Sequence, residues 1–310
     1  MQSPPRPVRS PSGGVQWPPM LITCAVSSLA DLVKPRGRAK PKLALDDTPQ
    51  YIRQELGLHG MNLSTDLLAG ADRRRLERLR DRADKAGCAC LMLHEPEPQP
   101  LADSAKADDA VDRLRRVLAA AHALGCNSAA MSIQAKNNEN DRELVIDAMR
   151  AVMETAEKLE LNLLINPMEG LTAEPDDLTE LIKKIGGFRV GTLPDFDAAA
   201  ASEDPALYLR RLAPYASVIN ASLHEFEDAD QEEGLDDDAP GSLEDLADML
   251  MSAEAPTHTT FDIVPMLGAI KSVGFEGTLA IDYKGSEDGT LGVLKGRDAI
   301  EAGLESLAEQ

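Results

Sequence analysis

The chain has 310 residues, 43% of them apolar, enough for one large barrel of roughly 250 residues with additions or for two smaller domains. Aromatic residues make up only 3%, which favours helices packed over an aliphatic sheet and disfavours a carbohydrate-stacking or aromatic-laddered β protein. Lysine and arginine number 32 against 53 acids, a formal net charge of −21, which disfavours phosphate backbones and hence a nucleic-acid partner.

Residues 1–19 contain Pro4, Pro5, Pro7, Pro11, Pro18 and Pro19 and no apolar run, so they read as a disordered leader rather than a secretory signal. Met20 opens the first apolar stretch, through Val26, and is a candidate physiological start. No stretch approaches the roughly 18 apolar residues of a membrane span, so a cytoplasmic protein without a membrane partner is expected. Arg6, Arg9, Lys34, Arg36, Arg38, Lys40 and Lys42 face only Asp31, giving +6 through residue 42 and −27 for the rest. The segment 34–42 alternates bases with Pro and Gly and is either a solvated loop or one that meets an anion. Cys24, Cys88, Cys90 and Cys126 all sit in apolar runs, as reduced core thiols do.

Beyond the leader the chain alternates short apolar runs with amphipathic segments. Strands are expected near 20–26, 60–64, 88–93, 127–133, 161–166, 189–194, 217–223 and 278–283. Helices are expected near 46–57, 71–86, 107–124, 141–159, 175–185, 204–213, 261–273 and 293–308. Gly87, Gly125, Gly186 and Gly274 stand where helices end in a left-handed residue, and Pro175 and Asp204-Pro205 are helix starts. Val145, Ala148, Met149, Val152 and Ala156 have helical spacing and read as core, not as a cofactor box. Residues 225–238 hold nine acids in fourteen, a self-repelling insertion that extends to about 256. Residues 20–310 are therefore expected to form a single domain interrupted by that insertion.

Eight strands alternating with eight helices predict an α/β fold with parallel pairing, and the count favours a (β/α)8 TIM barrel over an open doubly wound sheet. An open nucleotide-binding sheet needs a glycine fingerprint turning from strand into helix. The nearest candidate, Gly186-Gly187-Phe-Arg-Val-Gly191, leads from helix into strand and cannot cradle a pyrophosphate.

In such a barrel, chemistry belongs to the C-terminal ends of the strands. The polar residues at those ends are Ser27, Ser28, Asn62, Ser64, Asp66, His94, Glu95, Gln134, Asn166, Glu169, Asp195, Asp197, Asn220, Ser222, His224, Asp282 and Lys284. This oxygen-rich set suits a hard or borderline divalent cation, or a polyhydroxyl ligand. Each member also has a plainer reading: His94 as a hydrogen-bonded histidine closing its strand, Asp195 as a helix cap, Asn166 as a turn former before Pro167.

The second half carries a resemblance. Leu161-Asn-Leu-Leu-Ile-Asn-Pro-Met-Glu-Gly170, Val190-Gly-Thr-Leu-Pro-Asp195, Leu212-Ala-Pro-Tyr215, and Phe261-Asp262 with Gly274-Phe-Glu-Gly-Thr-Leu-Ala-Ile-Asp-Tyr-Lys-Gly285 resemble the sugar phosphate isomerase/epimerase family. The resemblance implies a xylose isomerase-like barrel acting by proton transfer next to a carbonyl, on a small carbohydrate-like ligand. It also implies one divalent metal (Mg, Mn or Zn), whose family ligand positions fall on Asn166, Asp195, Asn220 and Asp282. Only Asp195 keeps the family residue, and Glu169 or His224 is the expected substitute. Asparagine at 166 loses a charge and a base, and Asp282 is one methylene short, enough to misplace a base by about 1 Å and cost about 10²-fold. The resemblance therefore leaves Asp282, Glu169 and His94 as candidate catalytic groups, and Asp195, Asp282, Asn166, Asn220 and His224 as candidate metal ligands. The alternative is a non-catalytic barrel that binds a sugar-like ligand or a protein partner. The DNA-repair endonucleases of the same superfamily fit poorly, given the net charge and the shortage of histidine. A homo-oligomer is compatible with the sequence, although no surface stripe requires one.

Overall fold

The computed structural model of the chain describes residues 8–9, 15–16, 20–34, 40–227 and 255–309. Of the proline-rich leader, only Val8–Arg9 and Val15–Gln16 are described, as antiparallel partners. The rest of the leader, residues 35–39 of the basic loop and residues 228–254 of the acidic insertion lie outside the described residues.

Eight parallel strands form one curled sheet: β1 (Leu21–Ala25), β2 (Gly60–Ser64), β3 (Ala89–Gln99), β4 (Ser128–Ile133), β5 (Asn162–Asn166), β6 (Val190–Thr192), β7 (Val218–Leu223) and β8 (Thr278–Tyr283). Their order is β6-β5-β4-β3-β2-β1-β8-β7. The circle closes between β6 and β7 through two isolated bridges, Thr192 to Ala216 and Asp195 to Asn220. A Cβ on Gly191 would overlap the Tyr215 carbonyl oxygen, so the close approach of backbone at this seam requires glycine.

The main helices are α1 (Thr48–Glu55), α2 (Arg73–Ala86), α3 (Ala107–Leu124), α4 (Glu139–Lys158), α5 (Pro175–Ile185), α6 (Pro205–Leu212), α7 (Val264–Ser272) and α8 (Gly289–Ser306). In α2 the apolar residues Leu76, Leu79 and Ala83 recur on one face and are buried. Asp72 caps the first turn through Arg75 N–H (2.8 Å), and Gly87 ends the helix at φ 67°. On α4 the expected face of Val145, Met149, Val152 and Ala156 is fully buried, with Ala148 packed against it. All four cysteines are free and buried, and burial pushes the Cys88 and Cys90 thiols up to about 12.

All eight expected strands and the eight expected helices form. The third strand differs: it runs to Gln99 rather than ending at residue 93. Pro96 and Pro98 lack the N–H a regular ladder needs, and the pairing with β4 shifts register between Glu95 and Gln99, as it does where an irregularity accommodates proline. Further elements were not expected, among them the short helices Ala30–Val33 and Phe196–Ala200, the Val8–Arg9/Val15–Gln16 pair within the leader read as disordered, and an antiparallel pair of Phe226–Glu227 with Thr257–His258 that joins the two ends of the acidic insertion.

The core has two parts. The larger lies between strands and helices, and a smaller one fills the barrel with Met92, Ala130, Leu164, Leu193, Val218 and Ala280. Because side chains alternate along a strand, residues two further on share that inner face. His94, Ser132, Asn166, Asn220 and Asp282 therefore form a polar layer directly above the apolar plug, followed by Ser222 and Lys284. That layer is the floor of the barrel mouth.

Candidate active site

The strand alternation on β8 brings Asp282 and Lys284 to the same face. Lys284 Nζ donates to Asp197 Oδ2 at 2.9 Å and stands 3.9 Å from Asp282 Oδ2. Burial pulls this ammonium towards neutrality, but Asp195, the hydrogen bond to Asp197 and the charge of Asp282 outweigh it and raise its pKa above the ordinary lysine value. The loop after it turns back tightly: Ser286 N–H donates to Glu225 Oε1 (2.8 Å), and a Cβ on Gly285 would meet the Tyr283 ring and the His224 carbonyl oxygen.

Across the β6–β7 seam, Asp195 is both a helix cap and a candidate site residue whose carboxylate is bonded within the mouth. It starts the helix Phe196–Ala200 by accepting from Asp197 N–H (2.7 Å), and its other oxygen accepts from Ser222 (2.7 Å). Burial raises its pKa, against the pull of Lys284 and these two donors. The cap turn also aims Asp197, two residues on, at His224 Nε2 (2.7 Å). Burial works against the Asp197 carboxylate, yet the hydrogen bonds from Lys284 and His224 hold it below the usual carboxylate range. His224 N–H in turn donates to His258 Nε2 (2.9 Å), and His258 packs against the Phe226 and Phe261 rings. Ser27 at the end of β1 donates to Asp282 Oδ1 (2.6 Å) and completes this side of the mouth.

The opposite side is built differently. Glu95 is 1% exposed and is held by Arg113 (2.7 Å) and Thr65 (3.2 Å), because the extended third strand carries it to the face of α3. Asp66 is bonded to Ser64 and to Lys34 (3.1 Å). These two acids are thus committed to structural partners. His94 is not: among the described residues its Nε2 is buried with no hydrogen-bond partner, which departs from the plainer reading of a satisfied strand-end histidine. Burial lowers its pKa, with Asp282, Glu95 and Asp66 pulling the other way, so the ring is neutral near pH 7. On the neighbouring strand, Asn62 donates to Thr23 (3.1 Å) and leaves its buried Oδ1 without a partner.

The remaining candidates are dispersed. Asn166 Nδ2 donates to Ser132 (3.3 Å) and so is occupied within the floor. Asn220 N–H closes the seam onto Pro194 O (2.9 Å). Gln134 is exposed, its N–H donating to Gln99 O. Glu169 is also exposed, and it lines an outer groove of about 900 Å³ with Tyr208 and Arg211, to which none of Asp195, Asp197, His224, Asp282 and Lys284 contributes.

Ser27, Asp197 and Lys284 stand among the strand-end polar residues, but their sequence carries no role for them. The i, i+2 spacings Asp195-Phe-Asp197 and Asp282-Tyr-Lys284 were the signal, since each pair converges on one point. His258 was missed entirely, because the acidic insertion separates it from His224 in the chain.

The candidate metal ligands do not fit a metal as they stand. Among the described residues, no group of three or more His, Cys, Asp or Glu side chains is placed to hold an ion. Asn166 is turned to Ser132, His224 to Asp197, and an ammonium occupies the space between the carboxylates. No helix of the described residues is long and apolar enough to cross a membrane.

Solved structures similar to this chain include an L-ribulose 3-epimerase, with TM-score 0.70 and 16% identity over 94% of this chain and 96% of that one. A 3-keto-D-glucoside 4-epimerase from E. coli has TM-score 0.64 and 13% identity, covering 93% and 100% of the two chains. A xylose isomerase-like protein from Mycobacterium smegmatis, solved in complex with magnesium, has TM-score 0.64 and 14% identity over 94% and 98%. At such identities the likeness is one of fold. No curated protein sequence matches the chain. A family model described as "Xylose isomerase-like TIM barrel" matches residues 52–310. With its eight parallel strands and their surrounding helices, the chain belongs to the xylose isomerase-like TIM barrel family.

Proposed function

We propose that the barrel mouth binds a small polyhydroxylated carbonyl compound, of the sugar or sugar-phosphate class, and moves a proton on the carbon next to its carbonyl, as an isomerase or epimerase does. The observation that carries this reading is His94 Nε2, neutral and buried without a partner, with the Asp282–Lys284 wall close enough for the Asp282 charge to act on its ring. A buried polar atom left unpaired costs about 1–3 kcal/mol, and the hydroxyls of a sugar would repay that cost at both His94 Nε2 and Asn62 Oδ1. The activities in the names of the similar structures, both sugar epimerases, support the same class of ligand.

In this scheme the lone pair of His94 takes the proton from the carbon. The C–H electrons become a C=C bond, the carbonyl π electrons move to oxygen, and the resulting enediolate oxygen is stabilised by the cationic wall. Return of the proton from the imidazolium to the adjacent carbon, with a hydroxyl proton passing to the enediolate oxygen, completes an aldose–ketose isomerisation. Return to the opposite face requires a second group. Asp282, oriented by Ser27 on the facing wall, fills that role once it has taken a proton from solvent, and the imidazolium then returns its own proton to solvent. Placement by the fold alone supplies positioning, and general acid–base transfer adds roughly 10²–10⁴-fold.

The experiment is deuterium exchange. Aldoses, ketoses and their phosphates are incubated with the protein in D₂O, and loss of the proton next to the carbonyl is followed by NMR. The reading expects exchange with a subset of these compounds, abolished in His94→Gln. Saturable binding without exchange would replace it with a non-catalytic sugar-binding barrel, and neither binding nor exchange would remove the carbohydrate ligand altogether.

A further inference from the structure

The cation at the mouth of this barrel is a side chain. Asp195, Asp197 and Asp282 contribute six carboxylate oxygens, and each already faces a donor from the protein. Asp195 is bonded by Asp197 N–H and Ser222 Oγ. Asp197 is bonded by His224 Nε2 and Lys284 Nζ. Asp282 is bonded by Ser27 Oγ and faces Lys284 Nζ at ion-pair distance.

We propose that the Lys284 ammonium stands in place of a divalent metal in this barrel, so that the mouth takes up no metal ion and offers a ligand's negative charge an amine instead. The catalytic part of this inference rests on the isomerase or epimerase reading above; its metal part does not. Three carboxylates and one ammonium retain a net negative charge, so charge alone would admit a dication. Geometry decides against it: an ion bound by Asp197 and Asp282 would occupy the space that Nζ fills. Lys284 would have to leave that space and give up its hydrogen bond to Asp197 Oδ2. Loss of family ligands fits the same exchange. Where the family resemblance implies a glutamate, Asn166 is neutral and bonded to Ser132, and where it implies a histidine, Asn220 is an amide on the inner face. The amine also has a chemical consequence. An ammonium donates hydrogen bonds to a developing enediolate, whereas a metal coordinates it, so the reaction would proceed in chelator.

The test uses the full chain, stripped with EDTA and desalted, and titrated with Mn²⁺ while the free-ion signal is read by electron paramagnetic resonance. Wild-type protein is expected to leave that signal at its buffer value. Lys284→Ala and Lys284→Gln, which vacate the space among the aspartates, are expected to take up Mn²⁺ about tenfold or more tightly than wild type. Adding Asp282→Asn should reverse the gain. Circular dichroism confirms that each variant is folded, and the glutamine variant keeps most of the stem's packing if the alanine variant does not fold. Near-stoichiometric uptake by wild-type protein, lost in Asp195→Asn or Asp282→Asn, would overturn the proposal. So would folded lysine variants that gain no affinity, because the aspartates would then not constitute a cation site. Because Mn²⁺ uptake needs no substrate, this readout stands even if no isomerisable sugar is found.

Discussion

The two walls of the barrel mouth treat their polar atoms in opposite ways. On the wall built by β1, β6, β7 and β8, Ser27, Asp195, Asp197, Ser222, His224, Asp282 and Lys284 form one connected network in which each carboxylate oxygen faces a donor. On the wall built by β2 and β3, the acids are drawn off to Arg113 and Lys34, leaving His94 Nε2 and Asn62 Oδ1 buried and unpaired. The first wall is electrostatically complete without a ligand, which makes it a fixed frame. The second is incomplete, and its two unpaired buried atoms are where a ligand's hydroxyls would recover the most. On the reading proposed above, binding and proton abstraction fall to the incomplete wall, and charge stabilisation, with the proton returned in an epimerisation, to the complete one.

The largest effect should come from the incomplete wall. His94→Gln removes the base but keeps a polar side chain, and the exchange rate is expected to fall about 10²–10⁴-fold with the melting temperature little changed. Equal rates in wild type and variant would move the base elsewhere. On the complete wall, Lys284→Met should lower the exchange rate by about 10²–10³-fold, the usual loss for one group facing developing charge, measured at saturating ligand. If the rate were unaffected, the two walls would not divide the labour as described.

A third prediction concerns pH. His94 has a folded-state pKa below its ordinary 6.5, so below pH 6.5 the unfolded chain binds more protons at this residue than the folded one. Its contribution to stability is therefore full above pH 6.5 and is lost as pH falls through the depressed folded value. Urea midpoints should decline across that window in wild type, and less steeply in His94→Gln. The smallest effect is reserved for Asn62→Ser, which removes one unpaired acceptor together with a bond to Thr23. Stability should change by less than about 1.5 kcal/mol, while affinity for the sugar falls measurably in calorimetry.

Much of this was legible from the chain alone. Alternating apolar runs and amphipathic segments located every barrel strand, and the helix starts at Pro175 and Asp204-Pro205 and the left-handed glycines at 87 and 125 set helix ends. The strand-end rule then gathered nearly every residue of both walls. Partner choice was not legible. Glu95 looked equivalent to Asp282 in sequence, yet the extension of β3 past Pro96 hands it to Arg113, a contact that depends on the α3 face. Glu169 is three residues beyond Asn166, but the loop turns it outward to the Tyr208 groove. His258 comes beneath His224 only because strands flanking the acidic insertion pair with each other.

The division between the walls rests on the state of one ring. The most direct measurement is the ¹⁵N chemical shift of the His94 imidazole at pH 7, with and without an exchanging sugar. The account predicts a neutral ring whose Nε2 carries a lone pair and shifts when the ligand's hydroxyl reaches it. An imidazolium, or an Nε2 resonance indifferent to ligand, would contradict it.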